Sequence, residues 1–289
     1  MKEKKLPDFL VLGGQKCGSS WMREMVSRHP DIYMPGGEVH YFSDESNYSK
    51  GIEWYVRKFS ASSPGQIVGE KTPNYLWTNP RDKGTDRNKI PSSIKEVLPN
   101  SKFVVILRDP VDRAISAYNH HLSAGRVPPF VSIGEVLFGR NSEISDRFGI
   151  LTMGMYDVHL RDYFDYFDRS QFLVKIFEKS VKKRPRKTLS EVFSFLGVDP
   201  SFRPQEIHQT RNKGGVNFVE AMTRYYFSDP GFSDSPLTHG TIRLLSRLSD
   251  RRKYFPTSSE RRRIEDFYRP HKENCYEILG RRIEAWEKE

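Results

Sequence analysis

The chain has 289 residues, with 47 Lys and Arg against 37 Asp and Glu for a formal charge of +10, and 36% of its residues are hydrophobic. A chain of that length buries roughly 75% of the surface its unfolded form exposes and needs no staple to hold a core. Its two cysteines, Cys17 and Cys275, exclude both a disulfide framework and a thiolate metal cluster.

The longest apolar runs, Phe9 to Leu12 and Phe103 to Leu107, are strand-sized, well short of the roughly 18 residues of a membrane span. The basic start of the chain is followed by too short an apolar segment for a secretory signal. The expectation is a cytoplasmic protein, or the soluble part of a larger one, with no membrane span. Its positive balance points to an anionic ligand or partner, with a solvated basic surface as the plain alternative.

In chain order, hydropathy predicts a buried strand at 9–12, a helix from about 19 to 28, a strand near 66–69, a helix at 91–98 and a strand at 102–107. Helices follow at 110–123, near 156–167 and at 186–196, with a strand at 172–176 between the last two. Pro30 should stop the first helix, and Pro110 suits a first turn behind Asp109 as N-cap. From about Val216 the pattern turns helical, with 258–279 the longest segment and Glu260 near its start, as a helix dipole prefers. The breaks at 61–65, 79–91 and 227–240 are too short for linkers. Strand and helix alternate, so the expectation is an α/β fold: a P-loop-like parallel sheet flanked by helices on both faces, in a single domain over 1–289.

The first strand runs into Gly13-Gly-Gln-Lys-Cys-Gly-Ser-Ser-Trp and then a helix. Glycines here let the backbone wrap an anion, and the amides of Gly18, Ser19 and Ser20 would lie at the positive end of the new helix. Glycine turns also occur without a ligand; it is the combination with Lys16, two hydroxyls and the helix that points to phosphate. Gly13 to Gly18 has Walker A spacing, but Ser19 stands where the lysine should be, which disfavours an ordinary magnesium NTPase. A second strand ends in Arg108 and leads into a helix carrying Ser116, a guanidinium and a hydroxyl suited to a phosphate monoester. A salt-bridged strand end with a helix cap would read the same way. Between these segments Glu38 and His40, two apart, would share one face of an extended segment.

The glycine turn with its inner lysine, the Leu-Arg-Asp-Pro strand end and the late Arg211-Asn-Lys-Gly-Gly resemble the PAPS-dependent sulfotransferases (PAPS is 3′-phosphoadenosine 5′-phosphosulfate). Glu38-Val-His-Tyr-Phe, Gly69-Glu-Lys-Thr-Pro and the tail from Arg252 to Trp286 resemble the heparan sulfate N- and 3-O-sulfotransferase branch. The resemblance implies PAPS as sulfuryl donor with no metal required. The donor would lie on Lys16, Cys17, Gly18, Ser19, Ser20 and Trp21, with Arg108 and Ser116 on its 3′-phosphate and Arg211, Lys213 and Gly214 covering the nucleotide. It also implies Glu38 as general base, His40 in support, and Lys16 and Lys71 as cations beside the transferring group. No cysteine lies at 216–250 to match the branch's cysteine-paired loop, and the expectation is a chain without the branch's membrane anchor and stem.

A small-molecule or saccharide acceptor, anionic if the basic surface guides it, is the expected partner. The competing readings are a P-loop kinase using ATP and Mg²⁺, and a nonenzymatic polyanion binder suggested by Lys182-Lys-Arg-Pro-Arg-Lys and Arg261-Arg-Arg. The displaced lysine argues against the first, and the lack of a nucleic-acid recognition motif argues against a nucleic-acid partner.

Overall fold

The computed structural model describes residues 5–78, 89–205, 207, 216–226 and 251–287. Strand β1 (Phe9–Gly13) turns into helix α1 (Ser19–Val26), and strand β2 (Ile32–Tyr33), helices α2 (Glu45–Tyr48) and α3 (Gly51–Arg57) and strand β3 (Ile67–Lys71) follow. Helix α4 (Lys89–Val97) precedes strand β4 (Lys102–Leu107); helices α5 (Pro110–Ser123), α6 (Ile133–Phe138), α7 (Ser142–Phe148) and α8 (Tyr156–Phe164) come next. Strand β5 (Phe172–Ile176), helix α9 (Pro185–Leu196), strand β6 (Val216–Asn217), helix α10 (Phe218–Tyr226), strand β7 (Arg251–Arg252) and helix α11 (Ser258–Leu279) complete the described elements.

Five strands form one sheet in the order β2-β3-β1-β4-β5, with every neighbouring pair parallel, as the alternation of strand and helix predicts. β1 is buried throughout and β4 everywhere but Lys102, which is how strands covered by helices on both faces read in sequence. Val11 lies opposite Lys71 and Gly13 opposite Ile106, so the carboxyl ends of β1, β3 and β4 fall on one edge of the sheet. Parallel sheets bind their ligands at that edge.

The chain clusters into two compact units. The first comprises Met1–Asp109, Met155–Arg211 and His271–Glu289 and holds the parallel sheet with α1 to α4, α8 and α9. Its core is built from both faces of the sheet, with Phe103 ringed by Tyr163, Phe167 and Phe172. The second unit comprises Pro110–Gly154 and Asn212–Pro270. It packs α5 to α7, the antiparallel β6-β7 pair and the start of α11 around Tyr118, Ile133, Leu151 and Tyr268. There Glu260 accepts the amides of Thr257 at 2.8 Å and Gly134 at 3.0 Å, so its place near the start of α11 also ties two segments together.

Boundaries differ from expectation for identifiable reasons. β3 runs two residues beyond the predicted Gly69 because Glu70 and Lys71, both buried, continue the ladder where hydropathy stops. α1 ends at Val26, before Pro30 can act, and His29 bridges the Asp31 amide and the Asp199 carbonyl, each at 3.1 Å. α4 begins at Lys89, which puts Pro91 in its first turn, where a missing N–H breaks no helical bond. α8 stops at Phe164, and α9 starts one residue early, at Pro185.

Gly69 lies opposite Phe9, and a Cβ there would meet the Phe9 ring at 2.2 Å. Gly69→Ala is expected to lower the unfolding free energy by about 1–3 kcal/mol, through overpacking of the sheet's centre. An unchanged thermal midpoint would show that the ring turns aside without cost.

Candidate anion-binding and transfer site

The turn after β1 is built by two left-handed residues, Lys16 at φ 73° and Gly18 at φ 93°, with the Cys17 amide bonded to the Gly14 carbonyl at 3.1 Å. A non-glycine residue at positive φ is strained, and such strain collects at ligand-holding turns. Gly18 is also required by space, because a Cβ would lie 2.8 Å from Phe177. It caps α1, whose first-turn amides have no intrahelical partner and face outward with a partial positive charge. Ser19 and Trp21 are buried and Ser20 is exposed. Cys17 is buried, with its Sγ 3.4 Å from the Tyr156 hydroxyl, and Tyr156 packs on the buried Trp286 with ring centroids 5.9 Å apart.

Arg108 follows β4 and donates from Nη1 to the Lys16 carbonyl at 3.1 Å, while its guanidinium lies 5.1 Å from the centroid of Phe177. Its Nε is buried with no hydrogen-bond partner among the described residues, an orphan donor beside the glycine turn. The next residue holds this strand end in place. Asp109 donates its amide to Glu178 at 3.2 Å and takes Lys272 Nζ on its carboxylate at 3.1 Å, and Lys272 also reaches the Trp286 carbonyl at 2.8 Å. Burial lowers the affinity of Lys16 for its proton, and the charge of Arg108 lowers it further. Both effects would be relieved by an anion.

Across the edge, Lys71 leaves the end of β3 and binds Glu38 Oε1 directly, with Ser20 Oγ 3.3 Å from the same Nζ. His40 Nε2 meets the other carboxylate oxygen at 3.0 Å, and its Nδ1 lies 3.2 Å from Ser43 Oγ. Glu38 and His40 therefore do meet, but not as alternating positions on an extended segment. His40 takes a left-handed conformation at φ 55°, and the Thr72 hydroxyl accepts both the Val39 and His40 amides, at 3.3 and 3.4 Å. Burial alone would raise Glu38, but the hydrogen bonds and charges of His40 and Lys71 together outweigh it and hold the carboxyl down to about 2.

Beneath this loop, Glu70 is fully buried, accepting from Tyr55 at 2.5 Å and from Thr72 at 3.3 Å. Burial pushes it up to about 7, against the opposing hydrogen bonds of Tyr55, Tyr75 and Thr72.

The structure thus brings Lys16, Cys17, Gly18, Ser19, Ser20, Trp21, Glu38, His40, Lys71 and Arg108 to one edge of the sheet. Ser116 is half-buried on α5, within the second unit. Arg211, Lys213 and Gly214 lie outside the described residues. Sequence reasoning missed Glu70, Thr72, Phe177 and Lys272. Only the first two carried a signal: a Glu and a Thr flanking Lys71 at the end of a strand are hard to place unless they bond something. Among the described residues no group of three or more His, Cys, Asp and Glu is arranged to hold a metal ion, and no helix is long and apolar enough to cross a membrane.

A family model described as the sulfotransferase domain matches residues 6–219. The chain is 28% identical over 280 residues to heparan sulfate glucosamine 3-O-sulfotransferase 3B1 of Mus musculus, covering 96% of this chain and 64% of that one. It is 28% identical over 214 residues to heparan sulfate glucosamine 3-O-sulfotransferase 5 of Homo sapiens, covering 73% and 59%. The chain therefore spans less than two thirds of the length of these relatives. Among solved structures, a sulfotransferase from Alicyclobacillus acidocaldarius superposes with a TM-score of 0.71 at 22% identity, over 98% of this chain and 100% of that one, which establishes a shared fold.

The raised pKa of Glu70 gives stability a pH dependence of known sign. The folded chain keeps this proton up to about 7, whereas an unfolded glutamate loses it near 4.5, so the contribution is complete below 4.5 and fades as pH climbs to 7 and beyond. In urea melts, the stability advantage of the wild type over Glu70→Gln is expected to be larger at about pH 4 than at about pH 8. A constant gap would mean that Glu70 titrates alike in both states.

Proposed function

The chain belongs to the sulfotransferase domain family, and from that membership we propose that it moves the sulfuryl group of PAPS onto a hydroxyl or amine of a saccharide or small-molecule acceptor. The observation that carries this reading is Glu38 bound to Lys71 at the mouth of the glycine turn, which sets a carboxylate and a cation beside an anion site. Sulfuryl transfer, like phosphoryl transfer, needs in-line positioning and charge where the leaving oxygen develops it, and little covalent work from the protein.

The roles follow from what each group can reach. The α1 amides and the Lys16 ammonium suit the 5′-phosphosulfate, and Lys16 stabilises the phosphate oxygen as the S–O bond breaks. Arg108, with its orphan Nε, suits the 3′-phosphate. The acceptor oxygen or nitrogen attacks sulfur, its proton passes to Glu38, and 3′,5′-bisphosphoadenosine (PAP) departs with the bonding electron pair. His40 orients the base through the contact at Oε2. The relatives' names make a glucosamine-containing saccharide the first acceptor to try.

PAP at about 100 times its Kd should stabilise the fold by about 2.7 kcal/mol in a thermal or urea melt. Stabilisation by ATP with Mg²⁺ in its place would favour a kinase, and response to polyanions alone would favour a nonenzymatic binder. Glu38→Gln should cut the rate of ³⁵S transfer from PAPS by about 10²-fold or more, with PAP affinity unchanged. Equal turnover in the variant would remove Glu38 from the chemistry.

A further inference from the structure

A base of the kind proposed for Glu38 should be free to take a proton, yet Lys71 and His40 occupy both of its oxygens. Lys71 is the more telling partner. Its side chain is only 5% exposed, against 36% for Glu38, so its charge has lost most of its water and must be matched by an anion close by. The same ammonium lies 3.3 Å from Ser20 Oγ, in the first turn of α1, where the anion site begins. Its backbone is fixed by the ladder opposite Val11, so the movable part is the four-carbon stem.

We propose that Lys71 is an interlock: it holds Glu38 while the donor site is empty, and the sulfonate of an arriving donor draws it away, so that the base is released only once the sulfuryl group is seated. This rests on the reading of Glu38 as base and PAPS as donor.

Lys71 and His40 face Glu38 directly, and the neighbouring Glu70 carboxyl is taken up below by Tyr55, Tyr75 and Thr72. Departure of Lys71 leaves His40 as the one hydrogen-bonding partner of Glu38 among these groups, and the carboxylate becomes more basic. Each anion competes for one ammonium, so the coupling is reciprocal: what the sulfonate gains from Lys71 it gains against Glu38. PAP lacks the sulfonate and does not enter the competition. An unliganded protein of this design also keeps its base from pulling a proton off an acceptor with no sulfuryl group to receive it.

The test is the ratio of PAPS to PAP affinity, measured by calorimetry without acceptor, in the wild type and in Glu38→Gln. Removing the carboxylate's charge leaves Lys71 available, so the ratio should rise at least about fivefold, with PAP affinity constant. In a Lys71→Met background the same Glu38→Gln change should leave the ratio unmoved. An unaltered or lowered ratio in the single variant overturns the interlock, as does an equal rise in the Lys71→Met background. Failure of the underlying reading looks different: full turnover in Glu38→Gln removes the base, and loss of all nucleotide binding in a protein that still melts cooperatively overturns both.

Discussion

Positive charge crowded onto the carboxyl edge of a parallel sheet is the constraint around which the first unit is arranged. Arg108 at the end of β4 bonds to the carbonyl of Lys16 in the turn after β1, and burial and mutual repulsion both act against the Lys16 charge. Neither effect relaxes within the protein. A left-handed lysine, an orphan guanidinium nitrogen and outward-facing helix amides are each a local cost to the fold.

The Glu38 side of the sheet edge is held from below. β3 alternates, so Lys71 points to the site and Glu70 into the protein, where Tyr55 and Thr72 take its oxygens. Thr72 then turns to the loop above and gathers the amides of Val39 and His40, which fixes the backbone between Glu38 and His40. The Asn47 side chain takes the remaining Val39 carbonyl at 3.3 Å. A polar layer of this kind is worth having only if every member is bonded, because a buried donor or acceptor left alone costs about 1–3 kcal/mol.

Much of this was legible in the sequence because it lies in short contiguous motifs. The glycine turn and Arg108 sit at strand ends announced by apolar runs, and Lys71 lies in the contiguous Gly69-Glu-Lys-Thr-Pro segment. Harder to read was anything that depends on a side chain hidden against expectation. β3 looked two residues too short because its last two positions are charged, and the pairing of Glu38 with His40 was foreseen through the wrong backbone geometry. Phe177 and Lys272 were invisible for another reason: each acts on the turn from far along the chain, and neither residue type carries a positional signal of its own. The separate unit containing Ser116 has no signature in hydropathy, since its helices pack by the same rules as the rest.

The supports of the glycine turn are distant in sequence. Cys17 meets Tyr156 across 139 residues, and Asp109, beside Arg108, meets Lys272 across 163. Closing loops of that size before any contact rewards them is entropically expensive, so these joints form late in folding. A ribosome releases the turn long before it releases the lysine that braces its neighbour. The nascent chain thus carries its most distinctive segment unsupported for most of its synthesis, and the bracing is complete only when Lys272 has docked.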